Sequence, residues 1–197
     1  MNSLDTRVVD LVESGEYAEQ AARLLMEAFK ALDKDAWPDL PSAREEVAEC
    51  RSEGFLCLGL VNIDAQECPG ELLGWAGLRP MYDKTWELHP MVMAPRWQAQ
   101  GLGRKLLAAI EEAGRQRGLL GIVLGTDDET GSTSLSQQPL NGQNLAAEIC
   151  NIKNLRNHPF EFYQRCGYSI IGVIPDANGP CKPDIWMWKS LAGSNGI

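Results

Sequence analysis

The sequence has little of what several large classes of protein require. None of its six cysteines forms a Cys-x-x-Cys pair, and its two histidines lie far apart. We therefore expect neither a metal site nor a disulfide framework, and we interpret the cysteines as reduced thiols of a cytoplasmic protein. No apolar run approaches the length of a membrane span, and residues 1–5 carry neither a basic nor an apolar signal. The sequence thus predicts no metal, no membrane insertion and no secretion.

Positive charge is also scarce. Lys and Arg number 18 against 27 for Asp and Glu, which gives a formal net charge of −9. This balance disfavours nucleic acids and anionic membranes as partners and favours a small cationic partner. A length of 197 residues suits one domain, so we expect residues 1–197 to form a single domain with a polar insertion at about 130–156.

The chain is organised around a glycine-containing loop within residues 95–107. It joins a segment of strand character to a segment whose apolar residues recur at helical spacing, through the pattern Gln98-x-x-Gly101-x-Gly103. Glycines permit a tight turn, and the first N–H groups of a helix have no internal acceptor, so they suit a phosphate. Neither Gly-x-Gly-x-x-Gly nor the Walker lysine pattern is present. We predict a pyrophosphate loop of another kind, with a plain glycine-capped turn as the alternative.

Periodicity and breaker residues predict the remaining elements. Strands are expected at 6–12, 55–63, 71–78, 85–93, 121–125, 168–174 and 184–189. Helices are expected at 16–32, 42–51, 144–154 and 157–167, and the glycine loop with its helix at 98–117. We expect a polar loop at 64–70, a loose tail at 193–196, and Ser42 as the cap of the second helix. His89-Pro90 interrupts a strand, which predicts a bulge that frees backbone N–H groups.

Two motifs together resemble the GNAT superfamily of acyl-CoA-dependent N-acetyltransferases. Residues 92–107 resemble its cofactor motif, and Phe162-Tyr163-Gln164-Arg165-Cys166-Gly167-Tyr168 resembles its second motif. Residues 86–90, 125–129 and 183–188 resemble enzymes described as aminoglycoside 6'-N-acetyltransferases. The resemblance implies an α/β (α+β) fold: a mixed, mostly antiparallel central sheet of about seven strands flanked by helices. Superfamily members usually connect the strand at Val123 to the helix at Tyr163 briefly, so the 130–156 insertion departs from the pattern.

The resemblance also implies how acetyl-CoA binds. The sheet would be splayed between the strands at Val92 and Val123, with the pantetheine arm in the gap and the pyrophosphate on the loop amides. A backbone N–H near the bulge would hold the thioester oxygen. The expected cofactor-binding residues are Met91, Val92, Met93, Gln98, Ala99, Gln100, Gly101, Leu102, Gly103, Arg104 and Asn157.

Acetyl transfer to an amine needs a group that accepts a proton and a group that donates one to the departing thiolate. We favour Glu87 as the base, with His89 second; an ordered water chain, with Glu87 only a solvated strand carboxylate, is the alternative. Tyr163 is the expected acid, although a lone tyrosine in this setting is usually core. Cys166 lies near the end of its helix, where the dipole disfavours a thiolate, so we expect direct transfer in a ternary complex instead of an acyl-enzyme.

Carboxylates at the end of a predicted strand suggest the acceptor. The resemblance to aminoglycoside 6'-N-acetyltransferases implies an aminoglycoside acetylated at the 6'-amine, and Asp127, Asp128 and Glu129 would bind this polycationic amino sugar, with Trp37 at the rim. A solvated turn is the alternative for the three acidic residues. Another cationic amine, such as a polyamine or a protein N-terminus, remains open as the substrate, and so does a non-catalytic acyl-CoA sensor. A homodimer is possible.

Overall fold

The computed structural model describes residues 5–30, 36–63 and 70–192. The expected 64–69 loop, the end of the first helix beyond Lys30 and the 193–196 tail lie outside these ranges. The strands are β1 (Thr6–Asp10), β2 (Leu56–Asn62), β3 (Glu71–Pro80), β4 (Thr85–Met93), β5 (Gly121–Asp127), β6 (Ser169–Ile174) and β7 (Asp184–Ser190). The α-helices are α1 (Ala18–Lys30), α2 (Leu40–Cys50), α3 (Leu102–Gln116), α4 (Leu145–Cys150) and α5 (Phe160–Arg165). These elements confirm the expected α/β fold, a mostly antiparallel sheet of seven strands flanked by helices.

The chain divides into two compact units, one of residues 1–120 with 191–197 and one of residues 121–190. In the first unit, β1, β2, β3 and β4 pair in that order, each antiparallel to the next. In the second unit, β7 lies between β5 and β6 and is antiparallel to both. The predicted strands are confirmed in number and in their order along the chain, and no strand end differs from its predicted position by more than two residues.

The core of the first unit lies on both faces of its four strands. Alternate residues of a strand point to opposite faces, and Trp75 of β3 is fully buried on the face that α1 and α2 cover. The indole Nε1 of Trp75 donates to the carbonyl of Ala21, 3.0 Å away. Leu78, also on β3, faces the other side, where a Cβ at Gly114 of α3 would contact it at 3.6 Å. Helices therefore pack on both faces of the sheet, which is what a nearly continuous apolar β3 requires.

The start of α2 differs from the expectation. Asp39, not Ser42, is the N-cap, and its carboxylate oxygen accepts the backbone N–H of Ser42 at 2.9 Å. Pro41 occupies the first turn, where the missing N–H costs nothing, so the helix begins two residues earlier than predicted. Capping by Asp39 sets where α2 starts and hence which of its side chains face β4.

The predicted bulge at His89-Pro90 is confirmed. Ala76 pairs with Met91 whereas Leu78 pairs with Leu88, so two residues of β4 oppose the single Gly77 of β3. A Cβ on Gly77 would lie 2.5 Å from the carbonyl oxygen of His89. The bulge therefore depends on glycine at this position, because any side chain would push β4 away from β3.

The 130–156 insertion is held closed at its base. Thr133 and Asn154 form an antiparallel bridge, the N–H of Ser134 donates to the carbonyl of Lys153 at 3.0 Å, and the N–H of Leu155 donates to that of Ser132 at 2.8 Å. The predicted helix at 144–154 is shorter and forms α4 at Leu145–Cys150. The insertion is thus a loop with paired ends, not an open excursion.

Candidate active site

The glycine loop has the backbone geometry that its sequence predicts. A 3-10 turn at Pro95–Trp97 follows β4, and Gly101 is the N-cap of α3 with φ +82°. The N–H of Lys105 donates to the carbonyl of Gly101 at 3.1 Å. By helix geometry the N–H groups of residues 102–104 precede that first intrahelical bond and are available to an external acceptor. A Cβ built on Gly101 meets nothing within 4 Å, so the space above the turn is open.

Neighbouring side chains hold the loop from the β3 side. Trp97 donates its indole Nε1 to Glu71 at 2.8 Å, and Arg96 also bonds to that carboxylate. The side-chain amide of Gln98 donates to the carbonyl of Met93 at 3.2 Å, and that of Gln100 donates to the carbonyl of Arg96 at 2.9 Å. Both glutamine side chains thus stabilise the turn by donating to backbone carbonyls within it or just before it.

Lys105, the residue after Arg104 on α3, is engaged within the protein. Its ammonium donates to the hydroxyl of Thr6 at 2.6 Å and to the carbonyl of Thr6 at 3.0 Å. The lysine therefore fastens α3 to the start of β1. Arg104 is exposed at the N-terminal end of α3, where a cation reinforces the positive end of the helix dipole.

These residues fit the diphosphate of acetyl-CoA. The exposed N–H groups at the start of α3, a glycine that leaves open space above the turn and an exposed arginine together suit an anion. Before the loop, Val92 and Met93 are buried, and a Cβ on Gly74 would lie 2.2 Å from the sulfur of Met93. The end of β4 is therefore closely packed against β3, which gives the loop a fixed base.

Glu87 is not a solvated strand carboxylate, which was the alternative to its role as the base. Its carboxylate accepts the Nε–H of Arg79 at 2.8 Å, directly across the β3–β4 ladder, and its side chain is only 14% exposed. Arg79 thereby compensates the negative charge of Glu87.

His89 lies between an aromatic ring and a carboxylate. The ring centroids of His89 and Trp37 are 6.0 Å apart, and Nε2 lies 3.6 Å from an oxygen of Glu46 on α2. Burial and the positive charge of Arg79 lower the pKa of His89, and the carboxylates of Glu46 and Glu87 partly oppose that shift. His89 is therefore neutral at pH 7 and able to accept a proton.

In the second unit, Tyr163 lies on α5 in an aromatic cluster. Its ring packs edge-on against Phe162 and Tyr168, with centroids 5.1 and 5.7 Å apart. Burial raises the pKa of Tyr163 well above its ordinary value, so the phenol keeps its proton at neutral pH. Asn157, the other predicted site residue near α5, is exposed and has φ +55°.

Asp127 ends β5, which extends two residues beyond its predicted end. One carboxylate oxygen of Asp127 accepts the side-chain amide of Asn178 at 2.5 Å. Its carbonyl accepts the Nε2–H of His158 at 3.1 Å, while Nδ1 of that ring accepts the N–H of Phe160 at 3.3 Å. His158 is thus held as the neutral Nε2–H tautomer, and it ties the end of β5 to the segment before α5.

Asp128 is not placed to bind a substrate. It is 1% exposed, and its carboxylate accepts the N–H groups of Ser132 and Thr133 at 2.6 and 2.8 Å and the hydroxyl of Thr133 at 2.7 Å. Burial alone would raise the pKa of Asp128, but these hydrogen bonds outweigh it and hold the pKa below its usual range. Both carboxylate oxygens accept hydrogen bonds from residues of the 130–156 insertion, so Asp128 stabilises that loop. Asp127 and Glu129 are only half-buried.

Arg79 and Glu46 are two residues of the site that were not expected from the sequence. Arg79 could have been found, because a β3–β4 hairpin of the right register places it opposite Glu87. Glu46 gave no signal, since only the packing of α2 on the sheet brings it to His89. Among the described residues, no group of three or more His, Cys, Asp or Glu is arranged to hold a metal ion. No helix within those ranges is long and apolar enough to cross a membrane.

Comparison with known proteins identifies the class. The model of the acetyltransferase (GNAT) family matches residues 18–136. The chain therefore belongs to the GNAT family and is an acetyl-CoA-dependent N-acetyltransferase.

Three solved structures are similar to this chain over nearly its full length. An aminoglycoside 6'-N-acetyltransferase complexed with coenzyme A is similar at 33% identity and TM-score 0.82, covering 96% of this chain and 99% of that one. The aminoglycoside 6'-N-acetyltransferase of Enterococcus faecium is similar at 34% identity and TM-score 0.81, covering 98% and 99%. An aminoglycoside 6'-acetyltransferase type Ii follows at 27% identity and TM-score 0.69, covering 96% and 99%. No curated protein matched the chain.

Proposed function

We propose that this enzyme acetylates a primary amine of a polycationic amino sugar, the 6'-amine of an aminoglycoside, by direct transfer in a ternary complex. The observation that carries this proposal is the likeness over nearly the full length, at 33–34% identity, to two structures described as aminoglycoside 6'-N-acetyltransferases. Because the likeness includes both compact units and not the cofactor motif alone, it bears on the acceptor as well as on acetyl-CoA.

The charge of the first unit supports a cationic acceptor. Glu46, Glu49 and Glu87 surround a single Arg79, and His89 between them is neutral at pH 7. The half-buried indole of Trp37 lies beside this group. An ammonium group is attracted both to excess negative charge and to an indole face, so this setting suits a protonated amino sugar. In the second unit, Asp127 and Glu129 are the carboxylates that we assign to further ammonium groups.

Each proton in the reaction has a candidate residue. Glu87 and His89 are the candidates that accept a proton from the substrate ammonium, since an amine attacks only when neutral. Acetyl-CoA supplies the activated acetyl group as a thioester. Tyr163 holds a proton on its phenol oxygen and is the residue that we assign to protonate the leaving thiolate. The loop at residues 98–104 binds the diphosphate and contributes orientation, not proton transfer.

The test is an acceptor panel in which release of coenzyme A thiol is measured. The decisive pair is two aminoglycosides that differ only in carrying an amine or a hydroxyl at the 6'-position. We expect the 6'-amine compound to release thiol with a single acetylation. The 6'-hydroxyl compound should release it at least roughly 100-fold more slowly, because a site that binds one polar group discriminates against its replacement and a hydroxyl is a weaker nucleophile than a neutral amine.

Three outcomes of this panel would distinguish the alternative functions. Turnover of a polyamine or a peptide N-terminus without turnover of any aminoglycoside would replace the proposed acceptor. Binding of acetyl-CoA without turnover of any amine would favour a sensor. Equal rates for both members of the matched pair would move the acetylated amine to another position of the sugar.

A further inference from the structure

Five polar residues of the first unit form a cluster under the C-terminal half of α2, here called the α2–β4 cluster: Glu46, Cys50, Arg79, Glu87 and His89. The bulge sets its backbone. Cys50 lies against the bulge, with Sγ 3.5 Å from the carbonyl oxygen of His89 and 3.0 Å from where a Cβ of Gly77 would stand. The α2 helix, Gly77 and the bulge together fix the backbone position of His89.

Glu46 is held on the same side as His89. Glu46 lies one turn before Cys50 on α2. Its carboxylate oxygen accepts the hydrogen of the Cys50 thiol at 3.4 Å and lies 3.6 Å from Nε2 of His89. Burial and the nearby Glu46 raise the pKa of Cys50, so the thiol stays protonated and remains a donor. The carboxylate side chain is only 14% exposed, whereas that of His89 is 33% exposed. The ring can therefore be reached by a ligand, and the carboxylate lies behind it.

We propose that Glu46 is a positioning residue for His89, which makes His89 rather than Glu87 the proton acceptor of the reaction. This inference rests on the proposed function. The carboxylate faces Nε2, so Nε2 carries the hydrogen and Nδ1 keeps the lone pair. One proton moves from the substrate ammonium to Nδ1, which leaves a neutral amine and an imidazolium. The new positive charge lies beside the negative carboxylate of Glu46 and is stabilised by it.

The charges around His89 favour this division of roles. Arg79 on β3 opposes an imidazolium, while Glu46 and Glu49 on α2 and Glu87 on β4 favour it. Of these carboxylates, Glu87 is bonded to Arg79, and its charge is largely matched there. Glu46 is the carboxylate in contact with the ring itself, so its removal should affect His89 most.

The experiment is a proton NMR titration of the full-length protein, in which only His89 and His158 give imidazole signals. Comparison with His89→Gln assigns the two. Glu46→Gln removes the charge and keeps the shape, and Glu45→Gln is the matched control because Glu45 is the exposed neighbour on α2. We expect Glu46→Gln to move the His89 midpoint to lower pH, Glu45→Gln to leave it in place, and Glu46→Asp to restore most of the wild-type midpoint.

The kinetic readout is the pH dependence of kcat/KM with the acceptor found by the panel. Glu46→Gln should lower the plateau of kcat/KM by roughly tenfold or more, but by less than the full 10²–10⁴-fold that a general base contributes. It should also shift the acidic limb of the pH profile to lower pH. A purely structural role would lower the plateau without shifting the limb. The inference is overturned if Glu46→Gln and Glu45→Gln give the same His89 midpoint, whatever the activity. The proposed function fails separately, if no aminoglycoside is turned over.

Discussion

Gly101 provides the sharpest test of the anion-binding loop. Its φ of +82° is the left-handed conformation that L side chains avoid, and the space above it is open. Gly101→Val therefore has two effects: backbone strain in the folded protein, and a branched side chain projecting where a diphosphate would approach the N–H groups of α3. The first effect lowers stability, and the second lowers affinity for acetyl-CoA.

Both effects can be sized. The left-handed conformation costs an L residue about 1–2 kcal/mol or more, which lowers Tm by roughly 2–8 °C in a chain of this length. A hydrogen bond to a charged group contributes about 1.5–3 kcal/mol. Losing two such bonds removes about 3–6 kcal/mol, which corresponds to a rise in Kd of at least roughly 100-fold.

The chain offers a matched control at the other end of α3. Gly118 has φ +74°, and a Cβ there also meets nothing within 4 Å. Gly118→Val should therefore show a similar fall in Tm without any loss of affinity. Calorimetry with acetyl-CoA and a thermal melt of each variant separate strain from binding. Equal Kd values for wild type, Gly101→Val and Gly118→Val would refute the assignment of this loop to the diphosphate.

Three further predictions concern the second unit. Tyr163→Phe should lower kcat by roughly 10²-fold or less and leave the calorimetric Kd of acetyl-CoA unchanged; an unaltered kcat, with chemistry limiting, would make Tyr163 a packing residue. Asp128→Asn should lower the free energy of unfolding by about 1–3 kcal/mol at pH 7 in urea titrations. Because hydrogen bonds hold the pKa of folded Asp128 below the ordinary value of an aspartate, this difference should shrink as pH falls through about 4 and below, and a difference that stays constant from pH 7 to 3 would contradict this role. Asp127→Asn should raise KM for an aminoglycoside more than it lowers kcat, and kcat/KM of the wild type should fall with ionic strength; salt independence would count against steering by carboxylates.

Local chemistry in the sequence determined the glycine loop and the bulge. Gln98-x-x-Gly101-x-Gly103 between a strand and an amphipathic helix fixes the turn, because its glycines and helix start act over a few residues. His89-Pro90 predicted the bulge for the same kind of reason, since proline cannot donate to a ladder. The pairing of β3 with β4 also follows from sequence, because a short connection favours antiparallel neighbours.

Tertiary packing decided most partners of the charged residues. Glu87 lies on β4 and Asp128 directly follows β5, and the sequence did not distinguish these two carboxylates. One is matched by Arg79 across a ladder, and the other is enclosed by its own loop. Glu46 reaches His89 because Asp39 starts α2 where it does and because Gly77 lets the helix approach the bulge. Glu46 and His89 are far apart in the chain, so their contact depends on how the elements pack and not on any local pattern.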